Sequence, residues 1–155
     1  MEQNKGETDC MNSDKNFEEM AKDLQEKINR DEEKTYSKKV IKEYRNPVNF
    51  GFIERPDATG QVKGPCSDTV RMDLRTRGNT VQDARFWTDG CGASIACGNM
   101  LTKMIKGKTI EHALKITSDE LTAVLDGLPK ENLHCSVLAV NTLHKAIENY
   151  KKNME

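Results

Sequence analysis

Long apolar runs are missing from the sequence, and no apolar segment near its start resembles a secretory signal. We therefore expect neither a membrane-spanning helix nor export. Aromatic residues make up only 5% of the chain against 32% charged residues, which indicates one poorly packed segment. A transit peptide would be rich in arginine and poor in acids, and the first residues here are acidic. The expected location is cytoplasmic.

The formal net charge of −1 hides an acidic arm and a mildly basic remainder. Residues 1–35 hold eleven acids and six bases, a net of −5, whereas residues 36–155 have a net of +4. We predict an N-terminal extension at 1–35, partly disordered over residues 1–12 and carrying one amphipathic helix, followed by one folded domain at 36–155. Few aromatics accompany the basic run from Arg71 to Arg77, which argues against a nucleic-acid partner.

Apolar spacing predicts an α/β (α+β) chain with a β-hairpin at its centre. Residues 70–76 alternate apolar and polar side chains, Gly78 offers a turn, and residues 80–88 continue as a β-rich run. Residues 46–65 are rich in Gly, Pro, Asp and Asn, which predicts a long loop or an edge strand around residues 60–63 that should be mobile without a partner. Helices are predicted at residues 17–28, 36–44, 95–105, 109–116, 118–125 and 130–152. The last of these is predicted to bury Leu133, Val137, Val140, Leu143 and Ile147.

The five cysteines include no C-x-x-C pair, so any metal site must take its thiols from separate elements. In a reducing compartment such cysteines are more often ligands, nucleophiles or core residues than disulfides. Cys66, Cys91 and Cys135 each stand beside a turn or a predicted helix start. The three contexts suggest one metal site assembled from three places.

The donor set favours a soft metal or a cluster. A thiolate is stabilised at a helix start, where Cys91 and Cys135 are placed. Asp68 lies two residues beyond Cys66, on the same side of an extended segment, and His134 competes with it as the fourth ligand. Three thiolates with an oxygen or imidazole suit iron in a sulfide cluster or tetrahedral zinc. A carboxylate exchanges more readily than a fourth thiolate, which favours a site that builds and releases a cluster.

Simpler interpretations stay open for several of these residues. Asp68 is also suited to capping a turn, and His134 to orienting a ligand without binding the metal. Cys97 lies about 240° around the predicted helix from Cys91, which favours a core thiol outside the site. The remaining histidines are expected on the surface.

Several motifs in order resemble the U-type iron–sulfur cluster assembly scaffolds, the IscU and NifU N-terminal domain family. The resemblance covers about residues 36–152 and implies a three-stranded antiparallel sheet with helices packed on one face. It also implies a cluster site of Cys66, Asp68, Cys91 and Cys135, and the histidine at His134 is similar to the housekeeping and nitrogen-fixation branches. The motifs are Tyr44-Arg45-Asn46-Pro47 with Asn49, Gly64-Pro65-Cys66-Ser67-Asp68, Asp83-Ala84-Arg85-Phe86, Gly90-Cys91-Gly92-Ala93-Ser94-Ile95-Ala96, Lys106-Gly107-Lys108-Thr109 and Leu133-His134-Cys135-Ser136.

The resemblance implies a scaffold that is not itself an enzyme. A cysteine desulfurase would deliver sulfur to Cys135, a labile [2Fe–2S] cluster of iron and sulfide would form, and apo iron–sulfur proteins would receive it. Ferredoxin or frataxin-type proteins are further candidate partners, zinc is a candidate metal in the purified form, and a homo-oligomer is left open. The family's Leu-Pro-Pro-Val-Lys segment reads Leu128 to Asn132 here, which argues against docking of an Hsp70-type chaperone.

Two other functions compete with the scaffold. One is a structural zinc module that organises an interaction surface. The other is a thiol enzyme with Cys135 as nucleophile and His134 as its base. Adjacent residues of a helix point about 100° apart, which predicts poor geometry for that pair.

Overall fold

The computed structural model describes the backbone of residues 6–154 and the side chains of residues 15–154. The chain falls into two units, one ending at Thr35 and one beginning at Tyr36. In the part that the structure describes, no helix combines the length and the apolar character needed to cross a membrane.

The first unit is a single helix, α1, at Gly6–Thr35. It starts well before the predicted helix, at Gly6, and residues 1–5 lie outside the described part. The predicted apolar stripe faces solvent, because Phe17 is 73% exposed and Leu24 is 60% exposed. Within its own unit, α1 is therefore stabilised by its backbone and by local pairs such as Gln25 to Asn29, not by a core.

The second unit contains a three-stranded antiparallel sheet in the order β1-β2-β3. Its strands are β1 at Ala58–Lys63, β2 at Thr69–Arg77 and β3 at Thr80–Thr88. The hairpin prediction is confirmed: β2 and β3 are joined at Gly78, which has a φ of +62°, a conformation that glycine adopts without strain. Met72 pairs with Phe86 across the hairpin, and both side chains are fully buried.

Helices cover one face of this sheet. They are α2 at Lys38–Arg45, α3 at Gly92–Ile105, α4 at Ile110–Lys115, α5 at Ser118–Val124 and α6 at Leu133–Met154, with a 3₁₀ turn at Lys130–Asn132 before α6. α6 packs on β1 and β2, α3 packs on β3, and the two helices also contact each other. Because α3 follows β3 directly and α6 lies beside it, the starts of both helices reach the same end of the sheet.

The buried face of α6 differs from the prediction. Val140, Leu143 and Ile147 are buried, but Leu133 and Val137 are 43% and 45% exposed and lie on the side of α6 that faces α5. Small side chains take the position nearest the sheet, since a Cβ added at Gly60 of β1 would lie 2.4 Å from the backbone nitrogen of Ala146. Hydropathy ranks Leu and Val above such small residues, so it selected the wrong face at the start of the helix.

In place of the predicted mobile loop, residues 46–57 form an ordered cover that is anchored to β2, β3 and α3. The carboxylate of Asp73, fully buried in β2, accepts hydrogen bonds from the Ile53 backbone N–H at 3.0 Å and from Thr59 Oγ1 at 2.9 Å. Asn49 adds a second anchor: its backbone N–H donates to Asn99 Oδ1 at 3.0 Å and its side chain donates to Thr102 Oγ1 at 3.0 Å. Buried polar groups that are fully paired hold a segment in one place.

Replacing Gly60 with alanine should destabilise the fold, because its Cβ would also lie 2.6 Å from the backbone oxygen of Thr142. We expect Gly60→Ala to lower the free energy of unfolding by about 1–3 kcal/mol, as overpacking does elsewhere. Denaturant unfolding followed by circular dichroism measures this. Gln61→Ala, at an exposed position of the same strand, is the control. Equal stability of the two variants would contradict the close packing of α6 on β1.

Candidate metal centre

The predicted ligands meet at one end of the sheet, although they come from three parts of the chain. Cys66 lies in the turn between β1 and β2, and Asp68 immediately precedes β2. Cys91 is the N-cap of α3, directly after β3. His134 and Cys135 lie in the first turn of α6.

The imidazole of His134 lies between two of the thiols. Its Nε2 is 3.7 Å from Cys66 Sγ and 3.6 Å from Cys135 Sγ. The prediction of poor geometry between His134 and Cys135 is therefore wrong, because the ring turns back toward the neighbouring sulfur. The same ring also connects α6 to the turn that carries Cys66.

The other side of the site is organised by Ser94, which sequence reasoning missed. Ser94 Oγ donates to Cys135 Sγ at 3.4 Å and lies 3.8 Å from Cys91 Sγ. Asn132 Nδ2 is 3.9 Å from the same Cys91 sulfur. A signal for Ser94 was present, since a residue three positions after a cysteine at a helix start shares its side of the helix.

Asp68 lies beside Gly90, where a Cβ would be 3.0 Å from the Asp68 carboxylate oxygen and 2.7 Å from Ser94 Oγ. A residue larger than glycine would therefore crowd both side chains. The cap at the start of β2 is provided by Asp89, whose carboxylate accepts the backbone N–H of Thr69 at 2.8 Å. Asp89 therefore caps this N–H, which is a role that the sequence had left open for Asp68.

The thiols differ in exposure. Cys66 and Cys91 are exposed, whereas Cys135 is 1% exposed. Burial raises the pKa of the Cys135 thiol to about 11, and the hydrogen bond from Ser94 opposes that rise. Cys97 lies in the core, as predicted, and burial raises its pKa further. Of the three candidate ligand thiols, two are thus accessible and one is covered.

The remaining histidines divide between surface and interior. His112 is exposed, as predicted. His144 is half-buried instead, and its Nε2 is buried without a hydrogen-bond partner among the described residues. His112 lies in α4, which carries no candidate ligand, and His144 lies in α6, further along the helix that carries His134 and Cys135.

The predicted ligands contact one another in pairs. Across the described side chains, residues 15–154, no three His, Cys, Asp or Glu residues stand together in a geometry that would hold a metal ion. The donor chemistry nevertheless suits soft metals, because sulfur and imidazole nitrogen predominate.

Comparison with known proteins identifies the family. The model of the NifU-like N terminal domain matches residues 35–155. The chain belongs to this family. The match covers the second unit, which carries the three candidate ligand thiols, and this fits the resemblance seen in the sequence.

Two relatives of this chain are named as iron–sulfur cluster assembly scaffold proteins. The iron–sulfur cluster assembly scaffold protein IscU 1 of Archaeoglobus fulgidus is 47% identical over 120 residues, which are 76% of this chain and 78% of the relative. The IscU scaffold of Escherichia coli is 36% identical over 125 residues, 77% of this chain and 97% of the relative. A solved NifU-like N-terminal structure from Brucella abortus superposes with a TM-score of 0.60 at 18% identity, covering 75% of this chain and 94% of that one. The structural match supports the fold, and the sequence matches support the family.

Alkylation of the metal-free chain should follow the exposure of the thiols. We expect iodoacetamide to modify Cys66 and Cys91 first, Cys135 more slowly and Cys97 only after unfolding. Because the pKa of Cys135 is raised to about 11, its rate should rise about tenfold per pH unit between pH 8 and pH 10. Peptide mass spectrometry at timed intervals resolves each site. Rapid labelling of Cys135 at pH 8, ahead of Cys66, would contradict its burial.

Proposed function

We propose that this chain is a scaffold, without enzymatic activity of its own, that assembles a labile [2Fe–2S] cluster and passes it to apo-proteins. The observation that carries the proposal is the convergence of Cys66, Cys91 and Cys135, from three elements, at one end of the sheet. Asp68 lies beside Gly90, the residue before Cys91. The iron–sulfur scaffold names of the relatives support the same function.

The thiols would bind the iron of the cluster and leave one weak position. A cluster held by Cys66, Cys91 and Cys135 needs a further ligand. His134 lies next to Cys66 and Cys135, and Asp68 lies beside Gly90, the residue before Cys91. Among the described residues no hydrogen bond or ion pair engages the Asp68 side chain, so binding iron would break no such contact. A carboxylate–iron bond exchanges more readily than a thiolate–iron bond. Asp68 is therefore the proposed exchangeable ligand, and His134 the residue that orients Cys66 and Cys135.

Cys135 is the proposed sulfur acceptor. Its thiolate would attack the outer sulfur of a persulfide on a cysteine desulfurase, so that one S–S bond breaks, another forms, and the donor cysteine leaves as a thiolate. Ser94 stabilises the thiolate form through its hydrogen bond. Since Cys135 is 1% exposed, the donor would have to reach it through a local opening of the first turn of α6 that leaves the packing further along the helix in place.

A zinc site is the second candidate, because two thiols and the imidazole of His134 already adjoin one another. Three thiolates and an imidazole are a ligand set that tetrahedral zinc accepts. In that case the metal would stabilise the fold, and removal by a chelator would lower the melting temperature.

Anaerobic reconstitution with iron, cysteine and a cysteine desulfurase tests the scaffold directly. We expect visible absorption, about equal iron and sulfide, and transfer of the cluster to an apo-ferredoxin. Cys66→Ala, Cys91→Ala and Cys135→Ala should each abolish or greatly reduce formation, whereas Cys97→Ala, the matched control in the core, should retain it. A colourless protein that holds only tight zinc would overturn the scaffold and favour the zinc module.

Removing the carboxylate of Asp68 should slow exchange. We expect Asp68→Ala to give a cluster with a several-fold longer lifetime and a correspondingly slower transfer, because the exchangeable ligand is lost. The decay of visible absorption and the rate of transfer to apo-ferredoxin measure the two effects. Asp57→Ala, which removes a carboxylate bonded to the Thr76 N–H at the far end of β2, is the control. Unchanged lifetime and rate in Asp68→Ala would remove Asp68 from the mechanism.

A further inference from the structure

We propose that Ser94 is a positioning residue of the sulfur site, whose hydroxyl holds the Cys91 and Cys135 sulfurs and stabilises the bound thiolates. The effect on a cluster rests on the proposed function, while the effect on the thiols does not. The proposed function uses this hydroxyl only at Cys135, and the inference extends its role to the Cys91 sulfur and to the thiolates that hold a cluster.

Ser94 is buried and lies between the sulfurs of Cys91 and Cys135. The residue is 3% exposed, and its Oγ is 3.4 Å from Cys135 Sγ and 3.8 Å from Cys91 Sγ. A hydroxyl has one proton to donate, so it serves one sulfur at a time. The shorter contact assigns that proton to Cys135, and Cys91 lies close enough to receive it after a rotation of the hydroxyl.

The groups packed around Ser94 keep its side chain at the two sulfurs. A Cβ at Gly90 would lie 2.7 Å from Ser94 Oγ and 2.9 Å from its Cβ, so the backbone before Cys91 closes over the side chain. Asn132 adjoins Cys91 at 3.9 Å and His134 adjoins Cys135 at 3.6 Å. These two groups reach the sulfurs from the 3₁₀ turn and from α6, while Ser94 reaches both from α3.

The chemical consequence concerns the charge on sulfur. A hydroxyl that donates to a cysteine thiolate withdraws electron density from it, and hydrogen bonds to sulfur are among the features that set the reduction potential of iron–sulfur clusters. Loss of the bond should therefore shift the potential to a more negative value. It should also shift the sulfur-to-iron absorption bands to longer wavelength, because an unbonded thiolate gives up its electron more easily. The bond further opposes the rise that burial causes in the Cys135 pKa.

Ser94→Ala is a mild substitution, since alanine favours the helix and removes a single oxygen. Its matched control is Ser136→Ala, because Ser136 Oγ is also buried but donates to the Leu133 carbonyl at 2.7 Å and to no sulfur. Two measurements are made on wild type and both variants. The first is the competition between Cys135 and Cys66 for iodoacetamide in the metal-free chain, and the second is the midpoint potential and absorption of the reconstituted cluster.

We expect Ser94→Ala to slow labelling of Cys135 several-fold relative to Cys66, to lower the midpoint potential and to move the absorption bands to longer wavelength. Ser136→Ala should match wild type in all three. Identical labelling ratios, potentials and bands in Ser94→Ala and wild type would overturn the role of Ser94. If wild type forms no cluster, the proposed function fails on its own, and the labelling ratio still decides whether Ser94 acts on the thiols.

Discussion

The close approach of α3 and α6 to the sheet is the constraint on which the site depends. At Gly98 an added Cβ would lie 2.4 Å from the Phe86 ring, and at Gly60 it would meet the backbone of α6 at the same distance. Such contacts leave little freedom for either helix to slide. Because Cys91 begins α3 and Cys135 lies in the first turn of α6, the two thiols are fixed relative to each other by packing that lies far along both helices.

Several sequence motifs that resemble the family serve this architecture and do not touch the sulfurs. Asn49 is held by α3 through Asn99 and Thr102, and the ammonium of Lys106 donates to Asn49 at 2.8 Å and pairs with Asp83 at 3.0 Å. These bonds attach the cover at 46–57 to α3 and to β3. A motif that this chain shares with the family can therefore have a structural role. Only the contacts in the fold distinguish such motifs from the candidate metal-binding residues.

Sequence reasoning predicted the hairpin, the helix order and the convergence of the thiol-bearing segments. It succeeded there because alternation and turn residues are local signals, and because the motifs around Cys66, Cys91 and Cys135 are distinctive. It failed where a long-range contact decides the outcome. The anchor at Asp73 turned an expected mobile loop into an ordered one, and close packing at Gly60 placed small residues of α6 against the sheet. Ser94 was missed because a serine in a helix has many ordinary uses, and only the distances to two sulfurs distinguish it.

The difference in exposure among the thiols makes one side of the site open to solvent and the other side covered. Cys66 and Cys91 face solvent, while Cys135 lies at the covered end, against Ser94. Under the proposed function, a recipient protein would approach from the open side, and its own ligands would replace Cys66 and Cys91 before Cys135. The cluster would then be transferred by stepwise ligand exchange, with Cys135 as the last cysteine to release it. An incomplete cluster would stay bound to this chain until the recipient has bound it.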